Sequence, residues 1–171
     1  RWPAECKEGN ATSCYLLGTK KRAAKDLAGA AAMFERACDL GAPEACHEGG
    51  FLLDDESLGA VDRPRAARLY ARACDMSMFV SCSNLALMAG REGDHARAAS
   101  LFSRACEGGL VAACADAAIT YRDGRGVARD ETRAVSTSPM GMIAFVRNEV
   151  ADDATRPAAQ RWASKLYQPI A

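Results

Sequence analysis

The stretch Ala30–Cys46, AAAMFERACDLGAPEAC, decides how the chain is read. It ends in two cysteines with seven residues between them. The same framework returns at Ala66–Cys82 as AARLYARACDMSMFVSC and at Ala98–Cys114 as AASLFSRACEGGLVAAC. A shortened copy, ECKEGNATSC, stands at Glu5–Cys14, so all 8 cysteines fall into four pairs of the form C-x7-C. The first cysteines of successive pairs lie 32 (6 to 38), 36 (38 to 74) and 32 (74 to 106) residues apart. A period of about 34 residues belongs to arrays of helix pairs. The four extra residues between Cys46 and Cys74, with Pro64 and several charges among them, predict a longer loop there.

Inside each full copy the apolar residues keep a helical period. Ala30, Met33, Phe34 and Ala37 form an i, i+3, i+4, i+7 stripe, and so do Ala66, Leu69, Tyr70, Ala73 and Ala98, Leu101, Phe102, Ala105. That pattern is a helix with one buried face. Three residues after the first cysteine come Gly9, Gly41 and Gly109, with Ser77 in the third copy. Glycine there suits a helix end closed by a left-handed residue, and Pro43 suits the start of the next helix. This trailing helix carries the second cysteine. Its apolar residues are Val80, Leu85, Ala86, Leu87 and Met88 in one copy and Ala113, Ala117, Ala118, Thr120 and Tyr121 in the next. Glycine-rich turns at Gly59, at Gly90 and Gly93, and at Gly124 and Gly126 close it. In the first copy it runs into Lys20-Lys21-Arg22, which reads as a solvated helix end.

The cysteine spacing restricts the pairing. Residues eight apart on one continuous helix are about 12 Å apart, beyond the roughly 7 Å that a disulfide spans. Cys38 and Cys46 can therefore pair only if the chain reverses between them, and Gly41 and Pro43 supply that reversal. The favoured reading is four local bonds, Cys6–Cys14, Cys38–Cys46, Cys74–Cys82 and Cys106–Cys114, each stapling two helices of one copy. Three other readings compete: free buried cysteines, disulfides between copies, and zinc. Zinc has the weakest case. The spacing is not C-x2-4-C, and the two histidines, His47 and His95, lie in different copies. Disulfides imply an oxidising compartment.

The segment Tyr121-Arg-Asp-Gly124-Arg-Gly126-Val127-Ala-Arg-Asp130 resembles the Y-x-x-G-x-G-V-x-x-D loop of the Sel-one-like repeats, relatives of the tetratricopeptide type, with Ala134 starting the next helix. AARLYARACDM followed by CSNLALMAG is similar to the same family, over roughly residues 4–135. The C-x7-C pairs resemble its disulfide-rich secreted bacterial subgroup, the Hcp-type cysteine-rich proteins. The resemblance implies an all-α fold, a right-handed superhelix of disulfide-stapled antiparallel helix pairs, acting as a protein-interaction scaffold in the bacterial periplasm or outside the cell. Two departures predict local irregularity in repeat two: Ser77 in place of the turn glycine, and His47-Glu48-Gly49-Gly50 in place of the usual start of a trailing helix.

Two parts are expected: a repeat array over 1–135, its first repeat cut short, and a C-terminal helical cap or tail over 136–171. The first copy has only five residues before Cys6, which reads as an N-terminus set by processing or by choice of boundary. After Val135 the repeat pattern stops at Ser136-Thr137-Ser138-Pro139. Two amphipathic stretches follow, Met142, Ile143, Val146, Val150 and Ala159, Trp162, Ala163, Leu166. They read as a cysteine-free helical pair covering the end of the array, the alternative being a flexible tail or a partner-binding helix.

With 171 residues, 49% of them hydrophobic, the chain can bury a core; with aromatics at 6%, small side chains favour close helix packing. Lys+Arg and Asp+Glu both number 22, so the net charge is zero, against general nucleic-acid binding. No apolar run is long enough to span a membrane. The subgroup has been described as penicillin-binding or β-lactamase-like, but S-x-x-K, K-T-G and S-D-N are all absent, as are H-E-x-x-H and G-x-S-x-G. Glu48 beside His47 reads as a solvent-facing pair. No catalytic residues, cofactor or metal are expected. The expected partner is a protein or peptide, met by a monomer. Arg36, Arg72 and Arg104, each two residues before a first cysteine, are the candidate partner-binding residues, a ladder for carboxylates. The competing reading pairs them with nearby acids such as Asp39 and Asp75. Phe34, Tyr70 and Phe102 read as core.

Overall fold

The computed structural model describes residues 2–59 and 61–137, and among these every regular element is helical. They form α1 (Trp2–Lys7), α2 (Ala11–Ala23), α3 (Leu27–Asp39), α4 (Pro43–Asp54), α5 (Arg63–Asp75), α6 (Phe79–Arg91), α7 (His95–Glu107), α8 (Val111–Asp123) and α9 (Glu131–Thr137). The longer loop between Cys46 and Cys74 holds a single 3-10 turn, Glu56–Leu58. Pro64 is not in that loop but in the first turn of α5, where its missing N–H costs no hydrogen bond. The class is all-α, antiparallel helix pairs of the solenoid type. The chain divides into two units, Arg1–Leu85 and Ala86–Ala171. In the first, α1 packs on α2, α2 on α3, α3 on α4 and α4 on α5; in the second, α7 packs on α8 and α8 on α9. The expected helical pair over 140–168 lies outside the described residues.

Helix starts follow a rule that repeats. Asp26, Asp62 and Asp94 stand just before α3, α5 and α7, and each side chain accepts the N–H three residues on. Asp130 does the same for α9, accepting from Arg133 at 2.8 Å, so that helix begins at Glu131 rather than at Ala134. Each cap satisfies a backbone donor the helix itself leaves free. The ends of the leading helices repeat as well. Gly41 N–H donates to the Cys38 carbonyl (2.9 Å) and Ala42 N–H to the Ala37 carbonyl (3.1 Å). This paired arrangement ends a helix around one left-handed residue. Ser77, at φ 67°, makes the same two bonds through Ser77 N–H to Cys74 (3.0 Å) and Met78 N–H to Ala73 (2.9 Å). The expected irregularity at Ser77 is therefore absent: the two bonds hold serine in the left-handed region.

The second expected irregularity is also absent. Helix α4 runs unbroken through Gly49 and Gly50, and both are buried. Their reason is the next helix. A Cβ on Gly50 would lie 2.8 Å from the Tyr70 ring, and one on Gly18 of α2 would lie 2.7 Å from the Phe34 ring. The aromatics of α3 and α5 thus rest on bare backbone of the helix before them. Phe34 is 0% exposed, Tyr70 1% and Phe102 8%, which places all three in the core. Val80 and Leu87 do not join them. They are 39% and 51% exposed, because the buried face of α6 is supplied by Leu85, Ala86, Met88 and Ala89.

Candidate functional site

The four cysteine pairs are disulfides, Cys6–Cys14, Cys38–Cys46, Cys74–Cys82 and Cys106–Cys114, with Cα–Cα separations of 4.7, 4.7, 4.8 and 4.5 Å. The chain reversal at each left-handed residue brings residues eight apart within bonding reach. All eight sulfurs belong to residues at most 4% exposed. Each bridge is thus shielded from external thiols, as suits a structural staple.

The arginine ladder meets the preceding copy. Arg36 donates from Nε to the Cys6 carbonyl (3.1 Å) and from Nη2 to the Lys7 carbonyl (3.0 Å). Arg72 donates from Nη2 to the Cys38 carbonyl (3.1 Å) and pairs with Asp39. The guanidinium adds a second donor at the Cys6 and Cys38 carbonyls, which already accept from Gly9 and Gly41 of the stapled turns, and its charge suits a helix C-terminus. Arg104, exposed at the same position of the next copy, is not free either. A further bridge joins Arg65 of α5 to both oxygens of Glu35 on α3, at 2.9 and 2.8 Å, and Glu35 with Asp62 holds the guanidinium pKa up.

His47 and Glu48 are not a solvent-facing pair. His47 Nδ1 lies 2.9 Å from the Oγ of fully buried Ser81, and Glu48 pairs with Arg22 of α2. Burial holds the His47 pKa below the usual imidazole range, partly offset by the Glu48 charge. Lys20-Lys21-Arg22 is likewise not simply solvated. Lys21 reaches Asp26 at 2.6 Å, while Arg22 pairs with Glu48 and lies over the Phe34 ring. Ser81 is inaccessible as a nucleophile, and among the described residues no group of three or more His, Cys, Asp or Glu side chains is placed to hold a metal. No described helix is long and apolar enough to cross a membrane.

What sequence reasoning missed is an exposed apolar position. The fifth residue after the second cysteine is Phe51 in the first unit, 46% exposed, and Leu87 and Ile119 in the second, 51% and 41% exposed. Only the first copy has a polar residue there, Thr19. The recurrence was available in the register of the copies. Its exposure was not, since Leu85–Met88 is apolar throughout and the face has to be known.

Stapled helix pairs, repeated cap by cap, define a helical-repeat protein. The model of the Sel1 repeat matches residues 9–41, 44–78, 80–110 and 111–136, and the chain belongs to that family. Repeats of this family generally mediate protein–protein interaction. A Sel1 repeat protein from Oxalobacter formigenes shares the fold at TM-score 0.66 and 21% identity, over 92% of this chain and 73% of that one. The c5321 protective antigen of uropathogenic Escherichia coli, described as displaying an SLR fold, aligns over 99% of this chain and 51% of its own, at 17% identity and TM-score 0.47. No curated protein matches. In the family's phase a unit begins with the trailing helix of one cysteine pair. Cys38 closes the unit 9–41 and Cys46 opens the unit 44–78, so the bridge joins consecutive repeats rather than the halves of one. The same holds for Cys74–Cys82 and Cys106–Cys114.

Proposed function

We propose that the chain is a non-catalytic protein-interaction scaffold, built of disulfide-stapled helical repeats and working in an oxidising compartment, periplasmic or extracellular. The observation that carries this reading is the exposed apolar residue at one fixed repeat position, Phe51, Leu87 and Ile119. A buried position would explain an apolar residue by packing; an exposed one recurring with the period has no such reason. Four buried disulfides support the compartment, because thiols in reducing cytosol seldom stay paired. Arg36, Arg72 and Arg104 are a second candidate contact, for partner carboxylates, although Arg36 and Arg72 already serve the preceding repeat. The hydrolase alternative has no motif behind it, and clean protein is expected to leave nitrocefin unhydrolysed.

The test is quantitative crosslinking capture from periplasmic or extracellular extract. The combined Phe51→Ser, Leu87→Ser and Ile119→Ser variant is compared with Arg36→Glu, Arg72→Glu. Loss of the captured protein in the first, with helicity unchanged by circular dichroism, is the expected result. Loss only in the second would move the contact to the arginines; nitrocefin turnover would favour the hydrolase.

A further inference from the structure

Two trailing helices carry a carboxylate at the second position after their cysteine, Glu48 on α4 and Asp116 on α8. Their counter-charges differ. Glu48 is paired with Arg22, which stands eight residues after Cys14 of the preceding copy. The position that corresponds for Asp116, eight residues after Cys82, is Gly90. A Cβ at Gly90 would have only the Ala98 methyl within 4 Å, at 4.0 Å, so a side chain could leave the helix there. Among the described residues the half-buried Asp116 carboxylate has no hydrogen-bond or ion-pair partner, and burial alone pushes its pKa up. One helical turn further along the same helix is exposed Ile119.

We propose that Asp116 and Ile119 form a docking subsite for a partner segment carrying a cationic side chain beside an aliphatic one. The partner's arginine or lysine takes the place at Asp116 that Arg22 holds at Glu48, and its aliphatic neighbour covers Ile119. Charge complementarity argues for this occupant. A partly desolvated carboxylate without a counter-charge is costly in the free protein, and an incoming cation relieves that cost where an anionic or purely apolar segment does not. The template is internal, since Arg22 shows which group this repeat position accepts. The inference rests on the scaffold reading and names the chemistry of its partner.

The experiment selects random dodecapeptides on phage against the disulfide-intact full chain. Selected peptides are expected to pair Arg or Lys with Leu, Ile or Val. Asp116→Asn is expected to weaken them roughly ten-fold or more, and added salt to weaken binding to the wild type. A structural role would move stability instead. Removing an uncompensated carboxylate is expected to leave the thermal midpoint of the free protein unchanged or higher, and the NMR-titrated Asp116 pKa is expected to fall when peptide binds. Peptides that bind Asp116→Asn as well as wild type overturn the subsite but leave the scaffold reading standing. A library that yields no binder to the wild-type chain overturns both.

Discussion

At the scale of single residues, the informative positions are those where a side chain is missing or held out of water. Phe34 and Tyr70 were legible as core from the i, i+3, i+4, i+7 stripe, because a helix's own periodicity marks its buried face. Their partners were not. Gly18 and Gly50 are remote in sequence from the rings they carry, so in sequence alone His47-Glu48-Gly49-Gly50 has the form of an irregular repeat. Gly50→Ala forces a methyl group to within 2.8 Å of that ring and is expected to destabilise the chain by about 1–3 kcal/mol, read by urea unfolding. His47 gives a pH signature. Its folded-state pKa is depressed by burial, so the unfolded chain binds the proton more readily. Its stability contribution is full above the unfolded imidazole value of about 6.5 and is lost as pH falls below it toward the folded pKa. Thermal midpoints are expected to decline through that window. His47→Gln, which keeps a hydrogen-bonding group beside Ser81, is expected to flatten the decline.

At the scale of the helix pair, the same hardware recurs: an aspartate cap, a left-handed residue, a disulfide and an arginine reaching back. The stapled turn was legible because only a reversal brings residues eight apart within reach of one bond. The arginines were visible as a ladder, but their targets were not, since carbonyls at the end of a helix carry no mark in the sequence. The aspartate caps at 26, 62, 94 and 130 follow the period, and that recurrence is legible in the sequence. Cys38→Ser with Cys46→Ser releases α3 from α4. The chain-entropy relation for so short a loop gives a loss of about 2.5 kcal/mol, measurable by guanidinium unfolding under non-reducing conditions. Because Cys38 and Cys46 are fully buried, mild reductant is expected to leave the native bridge intact and to cleave it only once the chain unfolds.

At the scale of the whole molecule, the period, the all-α class and the redox chemistry all came from one recurring stretch. The exposed face did not. Which side of α6 meets solvent depends on which neighbours cover the other sides, and a run such as Leu85–Met88 offers apolar residues to every side. The register of the family's units also changes what the bridges mean. A disulfide that joins one repeat to the next tethers the junction at which repeat arrays otherwise separate. The array depends most on that tethering. Peptide mapping of the unreduced, denatured protein tests it directly. It predicts four linked peptide pairs, Cys6–Cys14, Cys38–Cys46, Cys74–Cys82 and Cys106–Cys114, with no titratable thiol. Free thiols, or a bridge between cysteines of different pairs, would contradict it.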